Sequence, residues 1–174
     1  MDLKRVTEEL NKFGKYVVQQ SRTRLTKEKR NNTKTLYNSL SYFIDEIPDE
    51  QISISFEMED YGMFQDRGVK GANPSMVVNG KQKAPNSPFS YKTKYPPLAP
   101  LIKWAKDKNI RFRDSSGQFV EGNYRSIGFW LQRRIFAQGI APSLFFTKPF
   151  YAAFNRLPID LHDPFAIELQ KYIK

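Results

Sequence analysis

The chain has no cysteine, one histidine and two tryptophans among its 174 residues. Without cysteine there is no disulfide, no thiol nucleophile and no thiolate zinc site, which fits a reducing compartment or an assembly built in one. The lone histidine, His162, lies between Asp160 and Asp163. One imidazole with two acids is a poor metal set, and the three are spaced too tightly for one helical face. No stretch approaches the roughly 18 apolar residues of a membrane span, and the N-terminal MDLKRVTEEL lacks the apolar core of a secretory signal. No membrane partner is expected. Walker A, nucleophile-elbow and H-E-x-x-H patterns are also missing.

Acidic residues are few as well, 18 against 28 lysines and arginines. Asp45, Glu46, Asp49 and Glu50 cluster in what reads as a turn, and Glu57 and Glu59 lie on the polar face of a strand. Neither group has the supporting constellation of a metal-dependent nuclease. No catalytic, cofactor-binding or metal residue is assigned, and the expectation is a protein that is not an enzyme and needs no cofactor.

What the chain does have is positive charge, a formal +10. Such a surface attracts polyanions, whether nucleic acid, an anionic membrane or an acidic protein, and charge alone does not choose among them. The densest basic segment is RTRLTKEKRNNTK, residues 22–34, with Glu28 its single acid. Cations are favoured at a helix C-terminus in any case. The functional reading takes Arg22, Arg24, Lys27, Lys29 and Arg30 as contacts to DNA or an acidic partner. Aromatic residues are plentiful, with 14 Phe and 9 Tyr, enough for both a core and a subunit interface. Length and a 40% hydrophobic content point to one domain over residues 1–174.

Leu3, Val6, Leu10, Phe13 and Val17 recur at spacings of three and four, which predicts a long N-terminal helix over about 3–25. A second helix is expected from Thr33 or Thr35, with Leu36, Leu40, Phe43 and Ile44 on its buried side, ending at Pro48. QISISFEME then alternates apolar and polar residues as a half-buried strand does. Residues 72–100 hold six prolines and no acid, an extended loop or arm suited to ordering on a partner. A helix over about 100–108, a hairpin turning at 115–117, a helix over about 124–138 stopped by Gly139, and a short C-terminal helix capped by Asp163 complete the pattern. The fold class expected is α+β: a long N-terminal helix and a small, mainly antiparallel sheet with helices packed on one side.

DYGMFQDRGVKG, residues 60–71, follows the strand with three glycines. GVKGAN lacks phosphate-loop spacing and leads into prolines, not into the helix N-terminus that assists phosphate binding. Its glycines read as backbone freedom at a sharp turn. Tyr61 and Phe64, three apart, suit one helical turn seated against the sheet, which leaves Asp66 and Arg67 for a subunit contact.

The order of these segments resembles the small tail-completion (neck, or head–tail connector) proteins of tailed bacteriophages. TKTLYNSL, residues 33–40, is similar to the family's T-x-x-L-x-x-S-L helix. Residues 61–71 are similar to its Y-A-x-x-x-E-x-G-T-x-G segment, with Gly62 in place of alanine, Asp66 of glutamate and Val69 of threonine. Pro142, Phe146, Pro149 and Phe150 match the proline–aromatic segment near the end. The basic 72–100 stretch and the Trp104 helix exceed the family's minimal form.

The resemblance implies a structural virion protein. It would form a homo-oligomeric ring at the head–tail junction, meet portal or adaptor and tail proteins, and surround the DNA passing through its lumen. Before assembly it would reside in the host cytoplasm. The implied interface residues are Tyr61, Phe64, Asp66, Arg67, Gly68 and Gly71, with Phe89, Tyr91 and Tyr95 of the arm. The rival readings are another kind of basic nucleic-acid-binding module, and a tail terminator or minor tail subunit.

Overall fold

The computed structural model describes residues 3–47, 51–120 and 122–157. His162 with Asp160 and Asp163, the expected C-terminal helix, and Pro48, Asp49 and Glu50 lie outside the described residues.

The fold is α+β. In chain order its elements are α1 (Leu3–Lys27), α2 (Thr35–Ser39), β1 (Ser41–Ile47), β2 (Gln51–Glu57), α3 (Gly62–Arg67), β3 (Val69–Lys70), a 3₁₀ turn (Pro74–Met76) and α4 (Leu98–Asp107). After these come β4 (Phe112–Arg113), β5 (Phe119–Val120), α5 (Tyr124–Gln138), β6 (Gly139–Ile140) and α6 (Thr147–Phe154). Among the described residues the strands form three antiparallel pairs: β1 with β2, β3 with β6, and β4 with β5. No helix among them is long and apolar enough to cross a membrane.

Where one domain was expected, the described residues cluster into two compact units. One is drawn from Met1–Gly62 and Leu144–Lys174, the other from Met63–Ser143. The physical reason is that each unit has its own apolar clusters. Val6, Leu10, Phe13, Val17 and Phe150 belong to the first, and Ala105, Ile127 and Leu131 to the second.

In the first unit the predicted stripe of α1 is buried at Val6, Leu10, Phe13 and Val17. It lies on the inward face of the β1–β2 hairpin, where Ile44, Ile52 and Ile54 pack on Val6 and Leu10. Phe56 of β2 meets Phe13 of α1 and Phe146 and Phe150 of the α6 segment, all edge to face, with centroids 5.3–5.9 Å apart. That geometry sets the positive ring edge against the negative ring face. Gly14 sits mid-helix, where glycine costs about 1 kcal/mol relative to alanine. A Cβ there would collide with the Tyr42 ring of β1, so the glycine lets the hairpin approach α1 closely.

Two expectations change here. Phe43 and Ile44 lie in β1, not in a second helix; α2 is only five residues long. Residues 41–47 pair with β2, placing Tyr42 opposite Phe56 and Ile44 opposite Ile54, so Phe43 turns outward. In addition, α6 forms across Pro149. A proline in the first turn of a helix loses no intrahelical hydrogen bond, because the first four N–H groups have no partner within the helix.

In the second unit α4 packs on α5 around Ala105, Ile127 and Leu131, joined by Leu101, Ile110 and Phe112. Asn123 caps α5 by accepting from Arg125 N, and Gly139 ends it at φ 82°. The β4–β5 hairpin turns where expected. Asp114 Oδ1 accepts from Ser116 N (2.9 Å), Ser116 Oγ (2.6 Å) and Gln118 N (2.9 Å). The Ser116 hydroxyl, followed by the Gln118 amide, holds the Asp114 carboxyl below its ordinary value.

Phe150→Ala is expected to cost about 3–5 kcal/mol by chemical denaturation, because it opens the aromatic cluster that joins α1, β2 and α6. Gly14→Ala, which ordinarily stabilises a helix, is expected to lower the midpoint because of Tyr42; a raised midpoint would contradict this packing.

Candidate macromolecular interface

Lysine and arginine are divided equally between the units, and the acids are not. Residues 1–62 and 144–174 carry fourteen cations and fourteen acids; residues 63–143 carry fourteen cations and four acids. The second unit therefore holds the whole formal +10. From residue 67 to residue 106 there is no acid at all. Lys70, Lys81, Lys83, Lys92 and Lys94 are all exposed. The attraction for polyanions belongs to this unit more than to the basic segment at the end of α1.

That segment is largely engaged within its own unit. Arg22 donates through Nε to the Tyr37 carbonyl (3.0 Å) and through Nη2 to the Leu40 carbonyl (2.8 Å), and its guanidinium lies over the Tyr37 ring. It thereby satisfies carbonyls at the C-terminal end of α2 that have no partner within the helix. Arg24 and Arg30 both reach Glu28, at 3.4 and 3.2 Å. Lys27 and Lys29 are exposed. Of the five expected contacts, Arg22 is thus a structural clamp and Arg24 and Arg30 are partly neutralised. A groove of about 860 Å³ beside them is lined by Lys15, Arg22 and Lys27 with Thr23, Thr26 and Tyr42, and no carboxylate lines it.

Residues 60–91 show what the glycines do. Gly68 has φ 73°, a left-handed conformation, and a Cβ on Gly71 would run into the backbone of Ala137 and Gln138. These two positions let β3 lie against β6, with Val69 opposite Ile140 and Lys70 opposite Gly139. The turn uses its glycines for a backbone bend and a close approach, with no phosphate involved.

The proline-rich stretch is not a projecting arm but is laid down on this same strand. Gln82 brackets Gly71, accepting from its N–H (2.6 Å) and donating to its carbonyl (3.0 Å). Lys70 N donates to the Phe89 carbonyl, and Tyr91 N to the Lys70 carbonyl. Ser87 Oγ donates to the Gly68 carbonyl (2.7 Å), and Gln132 Nε2 reaches the Pro96 carbonyl (2.7 Å). These bonds offset the chain entropy that favoured a free arm.

The expected interface residues separate accordingly. Phe64 meets Phe89 edge to face at 4.7 Å, and Tyr95 stacks on Phe136 at 4.0 Å. Burial pushes the Tyr91 hydroxyl up from its ordinary value. Tyr61, in the first unit, is 39% exposed; burial, then Glu59, pushes its hydroxyl up. Phe64 remains 43% exposed, and it seats on Phe89, not on the strand that precedes it. Arg67 is half-buried, and Gly68 and Gly71 are buried in the turn. Asp66, expected as an exposed contact, is wholly buried. It sits within α3 and interacts inside the chain, so its carboxylate serves the fold.

Sequence reasoning missed the outer face of α5. Phe129 is 48% and Trp130 44% exposed. Arg125 lies over Phe129 at 5.8 Å and Arg134 over Trp130 at 5.2 Å, while Arg133 is exposed one turn beyond Phe129. Phe112 of β4 packs its edge on Trp130 at 5.9 Å. Cation and ring thus alternate at a four-residue spacing along a helix that carries no acid. That spacing was the available signal. Trp and Arg are the residue types that dominate binding hot spots.

Among the described residues no three His, Asp or Glu side chains gather into a metal site. Compared with known proteins, the chain matches no family model, no curated protein and no solved structure.

Asp66→Ala is expected to lower unfolding stability by about 1–3 kcal/mol, because it removes a wholly buried side chain together with the interaction it makes within the chain. Thermal and chemical denaturation of the isolated protein check this. Unchanged stability would contradict a role for the buried carboxylate in holding the fold.

Proposed function

We propose that this protein is a structural subunit of a tailed-phage particle, forming a ring at the head–tail junction that joins portal-associated proteins to the tail around the DNA channel. The observation that carries the reading is the concentration of the entire net charge in one compact unit, beside an exposed arginine–aromatic face. A body that must sit next to DNA, or next to acidic ring neighbours, gains from positive potential over a broad surface. A body that must also hold other proteins gains from exposed aromatic and arginine anchors. The order of segments from the 33–40 helix through the 61–71 turn to the proline–aromatic segment supports the same placement. In this reading the protein acts by assembly and carries out no chemistry of its own. It resides in the host cytoplasm until it is incorporated into the virion.

One observation favours a second reading, a nucleic-acid-binding module outside any virion. The groove on α1 has Lys15, Arg22 and Lys27 and no carboxylate, and phosphate contacts need little more than cations and hydroxyls. The two readings part in the particle. Removing the gene from the phage is expected to leave DNA-filled heads and free tails that do not join, and the protein is expected in purified mature virions by mass spectrometry. Normal particles without this protein would overturn the connector reading and leave the nucleic-acid module.

A further inference from the structure

The acids of the first unit are as unevenly placed as the cations of the second. Between Lys34 and Arg67 there is no cation, and eight of the chain's 18 acids fall there. The β1–β2 hairpin lies inside this stretch. Its inward face is taken by α1. Strand alternation and the register place Ser41, Phe43 and Asp45 on the opposite face, across from Glu57, Ser55 and Ser53. Phe43 is 49% exposed there, and Asp45 and Glu57 are exposed on either side of it. The face is one aromatic ring flanked by two carboxylates.

The outer face of α5 is its counterpart in both respects. Its centre is aromatic, Phe129 and Trp130, and its flanks are Arg125 and Arg133. Both faces are exposed in the single chain. An exposed aromatic cluster rimmed by one charge sign is the anatomy of an interface whose centre becomes desolvated and whose rim sets register. Here both halves are present on one polypeptide with opposite signs.

We propose that copies of this chain associate head to tail, the outer face of the β1–β2 hairpin of one copy docking on the Arg125–Phe129–Trp130–Arg133 face of the next. The occupant is a second copy because the complementary surface is on the same sequence. The outer face of α5 repels its own kind, and so does the hairpin face, so a two-fold contact that pairs identical surfaces is disfavoured. Two different patches that meet without the reciprocal contact on the same pair of copies make a heterologous contact, and repetition of such a contact closes a ring when the rotation allows. The proposal rests on the ring reading above and supplies its contact surfaces.

The test is a charge swap read by sedimentation velocity at low and moderate salt, with circular dichroism as the check on folding. Asp45→Arg/Glu57→Arg gives a chain with two basic faces, and Arg125→Glu/Arg133→Glu gives one with two acidic faces. Each alone is expected to self-associate roughly 10- to 100-fold more weakly than the natural chain. Mixed one to one, they are expected to recover assembly, because every contact in an alternating ring is again between opposite charges. If the glutamate variant fails to fold, Arg125→Gln/Arg133→Gln replaces it; it is expected to weaken self-association, and on mixing with the arginine variant to form heterodimers through its natural hairpin face without further growth, and no heterodimer would overturn the proposal. A natural chain that stays monomeric at all concentrations overturns the proposal. So do variants that assemble unchanged, or a folded pair that shows no recovery on mixing. Loss of duplex-oligonucleotide binding by the α5 variant, with self-association intact, overturns it too and makes the α5 face a nucleic-acid site. None of these outcomes depends on finding the protein in virions, so the connector reading stands or falls separately.

Discussion

The first unit depends on the apolar stripe of α1 being covered by one face of a two-stranded hairpin. A two-stranded hairpin alone is at best marginal in water. What stabilises this one is that Ile44, Ile52 and Ile54 bury against Val6 and Leu10, and that Phe56 reaches both Phe13 and the α6 ring pair. Phe56 is thus the point where helix, sheet and the returning C-terminal segment meet. Gly14 makes the approach possible by leaving room for the Tyr42 ring. Once α1 takes one face of the hairpin, strand alternation commits Phe43, Asp45 and Glu57 to the other. The outward chemistry of the hairpin is a consequence of how its inward face is held.

The second unit solves a different problem. It must hold a long, proline-rich, acid-free segment without strands of useful length. It does so with scattered backbone and side-chain hydrogen bonds onto β3 and α5, of which the Gln82 bracket on Gly71 is the tightest. Because few carboxylates accompany them, most of its lysines and arginines remain available to a partner. The price of that arrangement is self-repulsion within the unit, which a polyanionic neighbour would relieve.

Much of this was legible in the sequence, and the failures share a cause. The α1 stripe, β2, the turn at 115–117 and both ends of α5 followed from periodicity and turn or stop residues, which are local. Residues 41–47 read as helix because Leu36, Leu40, Phe43 and Ile44 have helical spacing, and only pairing with β2 decides otherwise. The 72–100 stretch read as an arm because its hydrogen-bond partners lie far away in the chain, at Phe136, Gln138 and Gln132. Asp66 read as exposed because nothing local announces that α3 turns it inward. The basic segment at 22–30 attracted notice by density, while the charge surplus that matters is a property of a unit visible only in three dimensions.

In the proposed assembly the neutral first unit and the +10 second unit of this chain meet different neighbours. Cryo-electron microscopy of the mature particle at the head–tail junction tests it most directly. The expected result is a closed ring of this chain between portal-associated and tail proteins, with the 63–143 unit set against DNA or acidic surfaces. A junction fully explained by other proteins, with no density for this fold, would contradict it.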